Sequence, residues 1–254
     1  MKLDIITIIV LFVIGLLVSP ILITTGIRLP KKQKIGKCSH CENEYSLFNM
    51  IPILPYVLNY GRCPYCNHKI NVLYPIAELL TAILYSLSFV IYGFTYEMIT
   101  FILIVSLLVI IFISDIKYFV IQTKVIIVFT TTSLILKFLY FDFSTFILSI
   151  ISGISIFVFI YIVKYLGDKF FKVESLGGGD VKLSLYFGIL LGIRLAIVSI
   201  VIGAFLAFPQ AVYYAISKKD KEIPFGPFLV TSLLIVFTFM EPIRNFLTIL
   251  FINY

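Results

Sequence analysis

Residues 98–115 read Met-Ile-Thr-Phe-Ile-Leu-Ile-Val-Ser-Leu-Leu-Val-Ile-Ile-Phe-Ile-Ser-Asp, an apolar run that carries no charge until it stops on Asp115. A bilayer core needs about 20 consecutive, mostly apolar residues per helix, and this run approaches that length. It is not alone. Of 254 residues, 61% are hydrophobic and 13% charged, where a soluble domain carries about a quarter charged residues. The apolar residues come in long runs rather than in alternation. Working outward from Asp115, breakers and charges separate eight candidate spans, near Ile5–Ile27, Val72–Ile91, Met98–Ser114, Val125–Tyr140, Ser144–Val163, Val181–Leu191, Leu195–Ile216 and Phe225–Met240. The sixth is short for a full crossing. Gly192-Ile193-Arg194 is either a tight turn between the sixth and the seventh or a bend within one element, so seven is the alternative count. The expectation is an all-α polytopic membrane protein of about eight transmembrane helices. Ile5–Ile27 is too long for the apolar core of a secretory signal, and basic charge follows it rather than precedes it, so residues 1–27 are expected to be a retained first span.

Lysine and arginine set the expected orientation. Arg28, Lys31, Lys32, Lys34, Lys37, Arg62 and Lys69 lie in the first connection, Lys117 and Lys124 in the third. Lys164, Lys169, Lys172 and Lys182 surround a later one, and Lys218, Lys219 and Lys221 the last on that side. With eight spans these connections share one face, expected to be cytosolic, with the N-terminus outside. Opposite them stand little more than Lys2, Arg194 and Arg244, with Lys137 near that interface. The net charge of +7 is then mostly topological bias, and no nucleic-acid partner is needed to explain it.

The four cysteines and both histidines fall between Cys38 and His68, so they mark one local site rather than a disulfide framework. Cys38-Ser-His-Cys41 and Cys63-Pro-Tyr-Cys66 form two Cys-x-x-Cys pairs, each a tight turn able to present two thiolates to one metal. The expectation for residues 28–71 is a cytosolic loop in which Cys38, Cys41, Cys63 and Cys66 hold a tetrahedral zinc. Four sulfurs leave no open position for water, so the zinc is structural, and His40 and His68 are bystanders. A thiol redox pair or unliganded cysteines are the rival readings.

Among the carboxylates, Glu97, Asp142 and Glu241 fall in short outer connections, and Glu42, Glu44, Asp168, Glu174, Asp220 and Glu222 in cytosolic loops. Glu78 stands in the first turns of the second span, where a structural role at a helix N-terminus accounts for it at least as well as a functional one. Asp115 and Asp180 differ from the rest. Asp115 closes the third span, and Asp180 follows Gly177-Gly178-Gly179 and opens the sixth. Ionisable groups at a membrane boundary are functional candidates by default. Glycines allow close approach of another chain and positive φ. Taken singly, Asp180 could be an N-cap and Asp115 an interfacial charge paired with Lys117; together they are more informative.

These residues, in this order, resemble the type IV prepilin leader peptidases, and especially the Gram-positive enzymes that process competence pseudopilins. The resemblance runs nearly the whole length. Arg28-Leu29-Pro30 ends the first span, the two cysteine pairs follow with Ile51-Pro52-Ile53-Leu54 between them, and Tyr74-Pro75-Ile76-Ala77-Glu78-Leu79 comes next. The family's first catalytic aspartate maps to Asp115, its GxGD motif to Gly177–Asp180 continued by Val181-Lys182-Leu183, and a late Pro-Phe-Gly-Pro to Pro224–Pro227. The chain departs from the family pattern at Ile121-Gln122-Thr123, where Ile-Pro-Asp or Ile-Pro-Asn is usual. It also departs at Ile23, near a common Asn, and at Leu73, in place of an Arg. No aspartate or cysteine is lost. The resemblance implies a transmembrane aspartic peptidase domain over residues 72–254 whose substrates are prepilin-like proteins with a short basic leader and an apolar helix. It also implies a second activity, N-methylation with S-adenosylmethionine, for which no Gly-rich nucleotide motif is visible.

The chemistry stands without the family. Peptide hydrolysis needs an activated water and a proton donor, and two close carboxylates sharing one proton supply both. Both histidines lie in the cysteine loop, which argues against a Ser-His-Asp triad in the membrane region. The expectation is that Asp115 and Asp180 face one cytosol-open cavity from neighbouring spans, with a mobile glycine loop before Asp180. Two rivals come from other classes. A proton- or ion-coupled transporter calls for acids at mid-span, and a membrane scaffold with a zinc loop leaves Gly177–Asp180 unexplained.

Overall fold

The computed structural model describes residues 2–30, 53–172, 176–216 and 224–252. Among them lie nine helices and no strand: α1 (Lys2–Arg28), α2 (Leu54–Leu58), α3 (Leu73–Tyr92), α4 (Tyr96–Tyr118), α5 (Thr123–Tyr140), α6 (Phe143–Phe171), α7 (Gly178–Ile216), α8 (Gly226–Thr238) and α9 (Met240–Ile252). Six of these, α1, α3, α4, α5, α6 and α7, are long and apolar enough to cross a membrane, and α8 with α9, bent by 79°, would make a seventh if the pair is one span. The protein is a multi-pass membrane protein built from helices, which satisfy every backbone hydrogen bond within one segment where lipid offers none. Large apolar side chains such as Ile6, Leu17, Val90, Phe159 and Phe205 are exposed along these helices, as lipid-facing positions require.

By compactness the chain divides into Met1–Lys117 and Tyr118–Tyr254. In the first unit α1 packs along α3 and reaches α4. Small residues make this possible, since van der Waals fit drives helix association in lipid. A Cβ on Gly15 would stand 2.7 Å from the Cα of Ala82, and one on Gly26 would stand 2.8 Å from the Ile110 carbonyl of α4. Tyr85 of α3 and Ser106 of α4 share a buried hydrogen bond of 2.7 Å.

In the second unit α7 is the central element and packs on α5, α6 and α8. Against α6 it interlocks at Gly153 and Gly188, where a Cβ on Gly188 would lie 2.5 Å from the Ser152 carbonyl. Against α8, Ser199 and Ser232 pair at 3.3 Å. The two apolar runs expected on either side of Gly192-Ile193-Arg194 are both in α7, and Gly192 interrupts the helix with φ 75° and ψ 173°. No side chain crowds that position; the backbone conformation alone selects glycine. A broken helix leaves carbonyls without partners. Lys137 of α5 meets one of them, donating to the Ile189 carbonyl at 2.6 Å and to Ser149 Oγ at 3.0 Å. The charge that sequence places near an interface is thus a cap on the first half of α7.

Candidate active site

Asp115 stands in the last turn of α4 and is 5% exposed. The run before it, from Ile104 through Ile111 and Ile113, supplies the core of its helix. Neighbouring helices converge on this end. Gly26, two residues before the buried Arg28, is seated on Ile110 and Ile113. Lys117 Nζ donates to the hydroxyl of Tyr74 at the start of α3, at 3.3 Å. The carboxylate gains nothing from its own helix, because the C-terminal end of a helix favours positive charge. Helix stability therefore gives no reason for a carboxylate buried at that pole.

Asp180 is 8% exposed and occupies the third position of α7. It is not the N-cap; Gly177 takes that place, its carbonyl accepting the N–H of Asp180 at 3.1 Å and of Val181 at 3.3 Å. The carboxylate lies back over the glycine run, so that a Cβ on Gly177 would stand 2.9 Å from Asp180 Oδ2. None of Gly177, Gly178 and Gly179 has a positive φ, which corrects the expectation that these glycines supply left-handed backbone. What the fold demands is closeness. A Cβ on Gly179 would fall 2.7 Å from the Cβ of Ile121, in the connection between α4 and α5, while Gly178 has nothing within 4 Å. Two lysines flank the run: Lys164 of α6 donates to the Leu176 carbonyl just before it, and Lys182 donates to Thr123 Oγ1 at 2.9 Å just after it. Lys164 and Ile121 were not foreseen as parts of the site. Lys164 counts toward sidedness in the sequence, and only its spacing of four from Asp168, 3.7 Å away, hints at anything more. Asp115 belongs to the first compact unit and Asp180 to the second.

Glu78 has a structural use, accepting the N–H of Ile53 at 2.8 Å. Ile53 precedes α2 and has φ 60°, so the carboxylate fixes an unusual backbone at the head of a short helix.

Cys63 is buried and Cys66 half-buried, and neither is in a disulfide. The N–H of Asn67, itself at φ 57°, donates to the Cys63 carbonyl at 2.9 Å, and the N–H of Cys63 donates to the His68 carbonyl at 2.9 Å. Arg62 and Lys69 bridge as antiparallel partners behind this turn. Such a knuckle holds two thiols on one turn and fits half of a tetrahedral metal shell. Cys38 and Cys41 lie outside the described residues. Among those described, no group of three or more His, Cys, Asp or Glu gathers to hold a metal.

Asp115 and Asp180 are nearly buried carboxylates in terminal turns of apolar helices, and ionisable groups so placed are functional candidates. Comparison with known proteins gives this arrangement a context. A prepilin leader peptidase/N-methyltransferase of Bacillus subtilis is 26% identical over 93% of this chain and 96% of its own length. One from Vibrio cholerae is 29% identical over 79% of each chain. No solved structure matches. The Bacterial Peptidase A24 N-terminal domain model matches residues 13–92, which contain the Cys63–Cys66 knuckle. The model of the Type IV leader peptidase family matches residues 102–212, which contain both aspartates. With the two models following one another along the chain and the Bacillus subtilis relative aligned across nearly its full length, the protein belongs to the type IV leader peptidase family.

Proposed function

We propose that the protein is a membrane-embedded aspartic endopeptidase that removes the leader from prepilin-like precursors. The observation that carries this reading is the placement of two buried carboxylates, Asp115 and Asp180, each in the terminal turn of an apolar helix, one of them behind a closely packed glycine run. The substrate's apolar helix lies among the spans with its basic leader on the cytosolic side, and the peptide is cut at that boundary. One aspartate is ionised and takes a proton from the attacking water. The other is protonated and donates to the carbonyl oxygen or the leaving amine; the pair titrates as a unit. The Lys/Arg bias supports a cytosolic catalytic face and an external N-terminus. A transporter would need the acids at mid-helix, whereas both stand in terminal turns.

The test is leader cleavage by the purified protein in detergent. Asp115→Asn and Asp180→Asn each lower turnover by at least about 10³-fold, the scale of losing a general acid or base, with membrane insertion intact. Near wild-type turnover in either variant removes the reading.

Cys38, Cys41, Cys63 and Cys66 hold a structural zinc in this proposal, and the knuckle at Cys63–Asn67 supports it. Metal analysis of protein purified without chelator is expected to give about one zinc per chain. Cys63→Ser lowers that content and the protease resistance of the loop; protein that carries no zinc refutes the assignment. The relatives' names include N-methyltransferase. For this chain that second activity, with S-adenosylmethionine as donor, has no residue assigned to it and is read by transfer of a labelled methyl group to the cleaved N-terminus.

A further inference from the structure

Three consecutive glycines have little shape of their own, and glycine loses more conformational freedom on ordering than any other residue. Whatever fixes Asp180 must therefore act on the run from outside it. Three contacts do so. Ile121 presses on Gly179, Lys182 is tied to Thr123 one turn into the helix, and Lys164 holds the carbonyl of Leu176 immediately ahead of the glycines. The third differs in kind. Lys164 Nζ is a charged donor spent on a main-chain carbonyl, and such bonds are stronger than neutral ones. Its side chain is 17% exposed, and Asp168, one turn further along α6, stands 3.7 Å away. The helix that carries Lys164 is itself locked to α7 at Gly153 and Gly188. A bond from α6 to Leu176 thus refers the start of the glycine run to the same helix that fixes the rest of α7.

We propose that Lys164 is a positioning residue for Asp180, setting the peptide plane at Leu176 from which the glycine run departs, and that Asp168 orients Lys164 for this task. The proposal rests on the peptidase reading, in which Asp180 is a reacting group. Lys164 does not touch substrate; its effect reaches the reaction through the place where the Asp180 carboxylate stands. A displacement of about 1 Å at a reacting group is enough for a rate loss of about 10²-fold.

The experiment uses the full-length protein in detergent, with cleavage kinetics of a prepilin-like substrate and thermal unfolding measured side by side. Lys164→Met lowers kcat by about 10²-fold and leaves KM within about twofold of wild type, because substrate binding is untouched while the reacting geometry is not. Lys164→Arg keeps a cationic donor and recovers most of kcat. Asp168→Asn gives a smaller loss of the same kind. Wild-type kcat in Lys164→Met overturns the proposal. So does an equal fall in both the Met and the Arg variants accompanied by a lower unfolding midpoint, which means the lysine serves stability alone. Asp180→Asn is run in parallel. If it cleaves like wild type the peptidase reading itself has failed; if it is inactive while Lys164→Met is unimpaired, only the positioning role is lost.

Discussion

Asp115 and Asp180 sit at opposite poles of their helices, one in a last turn and one in a first. Both were legible in the sequence because an ionisable group at the edge of a long apolar run is costly to desolvate and is rarely kept there without a function. The reason for the glycines was legible in part. Sequence suggests close approach of another chain and positive φ; the second is absent, and the close approach is to this chain's own Ile121, whose Cβ would collide with one on Gly179. Collision with a Cβ is not relieved by a rotamer change. Gly179→Ala is therefore expected to lower cleavage by about 10²-fold through displacement of Asp180, while Gly178→Ala, which meets open space, stays within about twofold of wild type. Steady-state kinetics of the two variants checks this, and equal losses would show that conformational freedom, not space, is what the run provides. Lys164 was hidden for a different reason: counting charges by face treats every lysine as equivalent, and only coordinates reveal which one has a carbonyl to hold.

At the scale of elements, the apolar runs read from the sequence fall on α1, α3, α4, α5, α6, the two parts of α7, and α8. The break at Gly192 was visible as Gly-Ile-Arg inside apolar sequence. Its partner was not, since nothing in the pattern around Lys137 says that it will reach Ile189 of another helix. Nor was α9 anticipated, because Glu241, Pro242 and Arg244 interrupt the apolar pattern past Met240; its axis turns 79° from that of α8. Gly192 has a conformation that is nearly exclusive to glycine, and the strain of placing another residue there is about 1–3 kcal/mol. Gly192→Ala should accordingly lower the thermal unfolding midpoint in detergent, although no atom stands within 4 Å of the added methyl. An unchanged midpoint would mean that the two parts of α7 can rejoin as one straight helix without loss.

For the whole molecule, the division at Lys117 and Tyr118 assigns one aspartate to each compact unit. The proposed chemistry requires the two carboxylates to share one water, each within about 3.2 Å of it. A structure of the enzyme with a bound leader peptide or a non-cleavable analogue is expected to show that arrangement. Carboxylate oxygens that remain more than about 6.4 Å apart with substrate in place, twice the hydrogen-bond reach, would defeat a shared-water mechanism. Membrane class and helical architecture were the easiest features to read, because a bilayer imposes a length and a composition on every crossing. That two residues so distant along the chain should meet is an expectation drawn from the chemistry of hydrolysis instead, since no periodicity records it.

The first part of α7 has a further consequence, in terms of hydrophobic mismatch. From Gly178 to Leu191 it runs roughly 14 residues, or about 21 Å at 1.5 Å per residue. The hydrocarbon layer is about 30 Å thick. Arg194, exposed just beyond the break, belongs near one aqueous surface, since a charge is costly at depth. If this part of α7 makes a crossing by itself, Asp180 would stand several ångströms short of the opposite one. A bilayer answers such a deficit by thinning around the short element. In the proposed peptidase, thinning of this kind would bring headgroups and water toward Asp180, where an undisturbed membrane would be dry.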